Sequence, residues 1–214
     1  LTQYRYMLSN LQLRLQKGLK KNDYIWLFNT IRQRWISIMK KTYEDSILLL
    51  SDLNNHQVAY CAKKFQKNLK ELKEEIDQGP VKRAEKSYKS FIKIMEYFYD
   101  DLNHYQKKII KTKTTAMIDF VPVRYRFNKE RYRKFLEILK ERKDNKTIKN
   151  TLNSWMLKTP YSYPIYYKNA LSTWRSQAIS IYMAIDESAT PSQRLHAKNR
   201  LKDIISLIKD LEKG

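Results

Sequence analysis

From Val58 the apolar positions fall at Val58, Ala62, Phe65, Leu69, Leu72 and Ile76, with lysines and glutamates between them. Alternating spacings of four and three put these side chains on one face of a helix. Gln78-Gly79-Pro80 ends that helix, because glycine supplies a helix terminus and proline cannot extend one. Behind the turn a second seam runs through Ala84, Tyr88, Phe91, Met95, Phe98, Leu102, Tyr105 and Ile109. Two seamed helices joined in this way predict an antiparallel hairpin of coiled-coil character, the second helix about 30 residues and ~45 Å long.

Upstream, Leu8, Leu11, Leu15 and Leu19 make a shorter seam. Asn22-Asp23 caps the next helix, whose apolar face includes Phe28, Ile31, Trp35 and Ile38. The stretch from Tyr43 to Leu50 is apolar enough to demand a cover, either in this chain or in a protein partner docked on that face. Residues 1–111 therefore read as an N-terminal helical bundle.

The period then breaks. Phe120-Val121-Pro122-Val123-Arg124-Tyr125-Arg126-Phe127 alternates with a period of two, and its proline points to an extended connector over 112–127. A helical period returns after Asn128 with Tyr132, Phe135, Leu136 and Leu139, followed by a short helix around Ile148, Leu152 and Trp155. Thr159-Pro160-Tyr161-Ser162-Tyr163-Pro164 reads as an irregular loop. A seam of Leu171, Trp174, Ala178, Ile181 and Ile185 follows. Thr190-Pro191-Ser192-Gln193 is a capping box with proline at the first helical position, opening a last seam of Ala197, Leu201, Ile204, Ile208 and Leu211. Residues 128–214 read as a smaller C-terminal bundle. The expected fold is all-α, two bundles flanking a basic connector.

Composition narrows the chemistry. With three glycines among 214 residues, no glycine-rich phosphate cradle of the Walker or Rossmann type can be built. The content of 42% hydrophobic residues supports a real core. A single cysteine, Cys61, excludes internal disulfides and cysteine-based zinc sites, and fits a reducing intracellular compartment or an organelle matrix. No stretch approaches the roughly 18 apolar residues of a membrane span. The first residue is leucine, which points to a processed or excised form.

Charge adds the strongest functional signal. The chain carries 43 basic against 22 acidic residues, a net charge of +21. Residues 51–100 hold ten bases and eight acids, an ordinary solvated coat. Residues 107–134 hold ten bases against Asp119 and Glu130. Such a concentration displaces counterions from phosphates. The candidate nucleic-acid-binding residues are Lys107, Lys108, Lys111, Lys113, Arg124, Tyr125, Arg126, Phe127, Lys129, Arg131, Arg133 and Lys134. In an extended segment Val123, Tyr125 and Phe127 share one side, and Arg124 and Arg126 the other. The rings then either enter the core while the arginines meet phosphates, or stack on unpaired bases.

Enzymatic signatures are absent. His56 and His104 come side by side if the hairpin turns at Gly79-Pro80, but they fall beside the seams, and the paired Glu-x-x-His motifs of a di-iron bundle are missing. His196 and Arg200 stand one helical turn apart without a supporting constellation. The reading is a non-catalytic protein with no cofactor and no metal. RNA is favoured as partner because an irregular, ring-rich connector suits unpaired bases. A DNA-binding protein of replication, recombination or transcription control comes second, a coiled-coil scaffold third, and an anionic membrane last.

Overall fold

The structure, a computed structural model, describes residues 2–142, 144–158 and 162–213. Among them it forms ten α-helices and no strand. They are α1 (Thr2–Leu15), α2 (Lys21–Lys41), α3 (Tyr43–Asp52), α4 (Asn55–Asp77), α5 (Pro80–Tyr99), α6 (His104–Thr115), α7 (Phe120–Lys140), α8 (Asn145–Leu152), α9 (Ile165–Ser188) and α10 (Pro191–Leu211). A π-helical turn, Asn153–Leu157, extends α8. The all-α expectation holds.

The helices form two compact units, each assembled from separated stretches of chain. One comprises Leu1–Ile31, Ala84–Met117 and Trp174–Gly214, the other Arg32–Arg83 and Ile118–Thr173. Neither coincides with the consecutive stretches 1–111 and 128–214; three of the four boundaries fall inside α2, α5 and α9, and the fourth lies between α6 and α7, within 112–127.

The core of the first unit gathers Leu15, Phe91, Met95, Tyr99, Leu102, Ile110, Ala178, Ile181, Ile185, Ala197 and Leu201. These positions are largely the seams read from sequence, because an i, i+3, i+4 stripe is stable only against another such stripe. One expectation fails here. The single long helix after Pro80 is two helices, α5 and α6. Asp100 adopts a left-handed backbone, φ 62°, a conformation that aspartate tolerates better than most residues. Asn103 then opens α6 with a capping box to Gln106. The break rotates the later seam, so Ile110 is fully buried while Tyr105 is 63% exposed.

The α6 box faces the α10 box. Gln106 Nε2 donates to Gln193 Oε1 at 2.9 Å, and Gln193 Nε2 donates back to Gln106 Oε1 at 3.1 Å. Each side-chain oxygen also accepts from its own cap backbone, Asn103 N–H and Thr190 N–H, both at 3.0 Å. Two helix starts are thereby joined through buried amides whose polar atoms are partnered.

Nearby lies a buried carboxylate. Asp186, 1% exposed, accepts from the Tyr99 hydroxyl at 2.9 Å, the Leu19 N–H at 2.8 Å and Arg194 Nη1 at 3.0 Å. Gly18, at φ 78°, turns the chain after α1 so that Leu19 presents its amide to Asp186. Burial first, then the neighbouring negative groups, push the Tyr24 and Tyr99 phenols well above the usual tyrosine range.

In the second unit α4 packs against α7, which leaves the seam that begins at Val58 half-buried. Phe65 stacks on Tyr132 at 4.3 Å and meets Phe135 edge-on at 5.8 Å, while Glu75 pairs with Arg124. These contacts run in opposite chain directions, so α4 and α7 are antiparallel. Arg83, 8% exposed, bridges the two helix termini that meet at one end of this pair. Its Nε donates to Asp119 Oδ2 at 2.9 Å, and its Nη1 donates to the Glu75 and Ile76 carbonyls at the end of α4.

Segment 120–127, expected as extended, is instead the first two turns of α7. Asp119 caps it, accepting from the Val121 N–H, and Pro122 lies in the first turn, where a missing N–H leaves no intrahelical bond unmade. The face from Tyr43 to Leu50 is partly covered by this chain itself. Ile47 is buried with Ile138, Ile148 and Leu152, Tyr43 and Leu50 pack on that cluster, and the Tyr43 hydroxyl donates to the Lys149 carbonyl at 2.8 Å. Leu48 and Leu49 stay 65% and 64% exposed. The expected loop at 159–164 begins outside the described residues; Ser162 and Tyr163 form a bend before α9.

Candidate nucleic-acid interface

The twelve residues singled out from sequence fall on two helices in different units. Lys107, Lys108, Lys111 and Lys113 lie on α6 in the first unit, and Arg124 to Lys134 on α7 in the second. On α6, Lys107 pairs with Glu96 at 3.2 Å, Lys111 pairs with Glu85 over the Tyr88 ring, and Lys113 reaches Ser180 Oγ at 3.5 Å. The hydrogen bond and charge of Lys111 hold the Glu85 carboxyl below the usual carboxylate range. Only Lys108 of the four is exposed without an ion pair among the described residues.

Helical geometry sorts α7 into three faces. The face toward α4 carries Tyr132 and Phe135, and Arg124, whose guanidinium meets Glu75 at 3.4 Å. A second face carries Phe127, 8% exposed, stacked on Tyr167 at 3.9 Å and edge-on to Tyr163 at 5.1 Å. Of the two uses expected for the rings, Phe127 takes the first: it is core and cannot stack on a base. Tyr125 is half-buried. The alternation placing Arg124 and Arg126 on one side does not exist, since consecutive helical residues turn by about 100°.

The third face is outward and cationic. Arg126, Lys129, Arg133 and Lys140, spaced by three, four and seven, share it. Glu130 and Glu137 lie along its edge, and accept from Arg126 at 3.1 Å and from Arg133 at 2.6 Å. Both are exposed i, i+4 pairs, worth roughly 0.3–0.5 kcal/mol each, a cost that a phosphate contact can offset. Arg126 also lies 4.2 Å over the Tyr166 ring, whose hydroxyl donates to Glu130 at 2.9 Å. Desolvation pushes the Glu130 carboxyl up, but hydrogen bonds from Arg126 and Tyr166 outweigh it and hold the group below the usual range. Burial and the bond to Glu130 push the Tyr166 phenol up to about 12.

On the side of α7 that carries Phe127, turned away from this row, is a notch of about 70 Å³ lined by Phe127, Glu130, Arg131, Lys134, Trp155 and Tyr163 among others. Trp155 comes from the π-helical turn, packs on Phe135 at 5.2 Å and carries the Arg131 guanidinium 5.5 Å above its ring. The sequence pattern puts Trp155 in a plain helix and does not mark it as a site residue. The π turn that aims it has no local signature, although such turns occur often at functional sites.

Among the described residues no group of three or more His, Cys, Asp or Glu side chains is placed to hold a metal. His196 Nδ1 lies 2.9 Å from the Phe98 carbonyl. No described helix is long and apolar enough to cross a membrane. Among known proteins, a family model described as a family of unknown function (DUF6279) matches residues 1–167. No curated protein and no solved structure matches the chain.

Proposed function

Because the chain belongs to a family whose function is unknown, we propose from its own surface that it is a non-catalytic RNA-binding protein, a structural subunit of a ribonucleoprotein assembly. The observation that carries this reading is the outward row Arg126, Lys129, Arg133 and Lys140 on α7. From first to last the row spans about 21 Å at 1.5 Å per residue, enough to follow several successive phosphates of one strand. Weak exposed pairing leaves Arg126 and Arg133 available to phosphates.

The test is fluorescence anisotropy with a single-stranded RNA across a salt series, comparing the chain with the triple variant Arg126→Glu, Lys129→Glu, Arg133→Glu. The slope of log K against log salt should become shallower by about 0.7 per lost contact, roughly 2 in all. Reversing Lys107, Lys108 and Lys111 on α6 changes the net charge equally and should alter the slope less. An unchanged slope in the α7 variant removes this face from the reading. Tighter binding to duplex DNA would select the DNA-binding alternative, and preference for anionic vesicles over both polymers would replace nucleic acid altogether.

The exposed pair Leu48 and Leu49 supports a second proposal, that a protein partner docks on α3. Leu48→Glu with Leu49→Glu should then abolish assembly with that partner and leave RNA affinity unchanged.

A further inference from the structure

The first unit contains a cavity of about 270 Å³, walled by Leu15, Tyr24, Phe28, Met95, Tyr99 and Leu201 among others. The space is a cleft, half open to solvent, whose apolar walls gain by taking up an apolar occupant. Its walls cannot simply close. Asp186 on α9 ties down Leu19 through its amide, Tyr99 of α5 through its hydroxyl and Arg194 of α10 through its guanidinium. Tyr24 is held by stacking on Tyr182 at 5.9 Å. Three wall-bearing segments are thus fixed to one buried carboxylate, whose position is set by hydrogen bonds and not by the filling of the cavity.

The lining also defines what fits. It is almost wholly hydrocarbon, and the Tyr99 hydroxyl is already committed to Asp186. Water against these walls finds few protein partners, so an apolar occupant gains by displacing it. Ile94, which lines the cavity, is 43% exposed, so the space reaches the surface along α5. A cavity of 150 Å³ accepts benzene, and by proportion this one accepts about ten carbons. We propose that the first unit binds a single alkyl chain of about ten carbons, its polar end left in solvent near Ile94. This site is independent of the cationic face of α7.

Displacement of the fluorescent probe N-phenyl-1-naphthylamine by 1-alkanols from hexanol to tetradecanol tests the proposal. Affinity should tighten about fourfold per added methylene up to about ten carbons and then level off. Ala197→Phe, which fills the space, should shorten the limit or abolish displacement. Leu27→Ala, which enlarges it, should lengthen the limit by about three carbons. Because the substitutions act in opposite directions, either folded variant decides, with far-UV circular dichroism as the check on folding. Extraction of a labelled short-chain phospholipid from vesicles would assign the chain to a lipid, and alkanol binding without extraction to a free amphiphile; both support the pocket. Affinity that rises through tetradecanol without a limit, or a limit that neither folded variant moves, would overturn it.

Discussion

Replacing Asp186 by alanine should be among the most damaging single substitutions in the first unit. The side chain is 1% exposed and accepts from three donors on three other segments: the Leu19 amide, the Tyr99 hydroxyl and Arg194. Removing it strips a partner from each. Breaking a buried pair by deleting one member costs about 3–5 kcal/mol, because the remaining charge has lost its counter-ion. Arg194, 31% exposed, recovers part of that through water. The Tyr99 hydroxyl does not; Tyr99 is 5% exposed, and an unsatisfied buried donor adds about 1–3 kcal/mol. These terms overlap, and about 4 kcal/mol is the expected total. For a chain of this size that corresponds to a fall in Tm of roughly 8–16 °C. Thermal melts followed by far-UV circular dichroism, together with urea titration, give the measurement. Tyr99→Phe, which removes one hydrogen bond and keeps the ring, should cost only about 1 kcal/mol. A Tm change below about 2 °C for Asp186→Ala would refute the view that this carboxylate organises the unit.

Two further outcomes test the same unit. The raised phenols of Tyr24, Tyr99 and Tyr182 stabilise the folded state fully below the ordinary tyrosine pKa of 10.0, and that contribution is lost as pH rises above it. Phenolate absorbance from these three should therefore appear together with loss of helical signal; smooth titration near pH 10 in a still-folded protein would contradict their burial. Gln106→Ala and Gln193→Ala should each destabilise by about 1–2 kcal/mol, since each removes half a capping box and leaves the partner amide unsatisfied. A double-mutant cycle by urea titration should return a coupling of about 1 kcal/mol, and strict additivity would show that the two boxes are independent.

Much of the helix inventory was legible because its signals are local. The α10 start at Thr190-Pro191-Ser192-Gln193 and the α4 stop at Gln78-Gly79-Pro80 depend on residues within one turn of each other, and both are where the sequence placed them. The misread places were those where two local signals competed. Proline and a period of two in 120–127 suggested an extended chain, but Asp119 as a cap makes the same proline an acceptable first-turn residue. The seam running through Leu102 to Ile109 suggested helix continuity, but Asp100 and Asn103 interrupt it.

By itself, then, the sequence determined most of the helices, the stripes they must bury and the excess of positive charge, all of which follow from the period of the chain and the chemistry of its side chains. Only the tertiary structure decided which stripe meets which. That α4 lies on α7, that Ile47 is covered by α8, and that cations adjacent in sequence divide between two units are choices among apolar faces of similar character. Asp186 makes the same point most sharply. Between Ile185 and Glu187 nothing in the sequence marks it, and it becomes the anchor of a core only because Leu19, Tyr99 and Arg194 bring their donors to it.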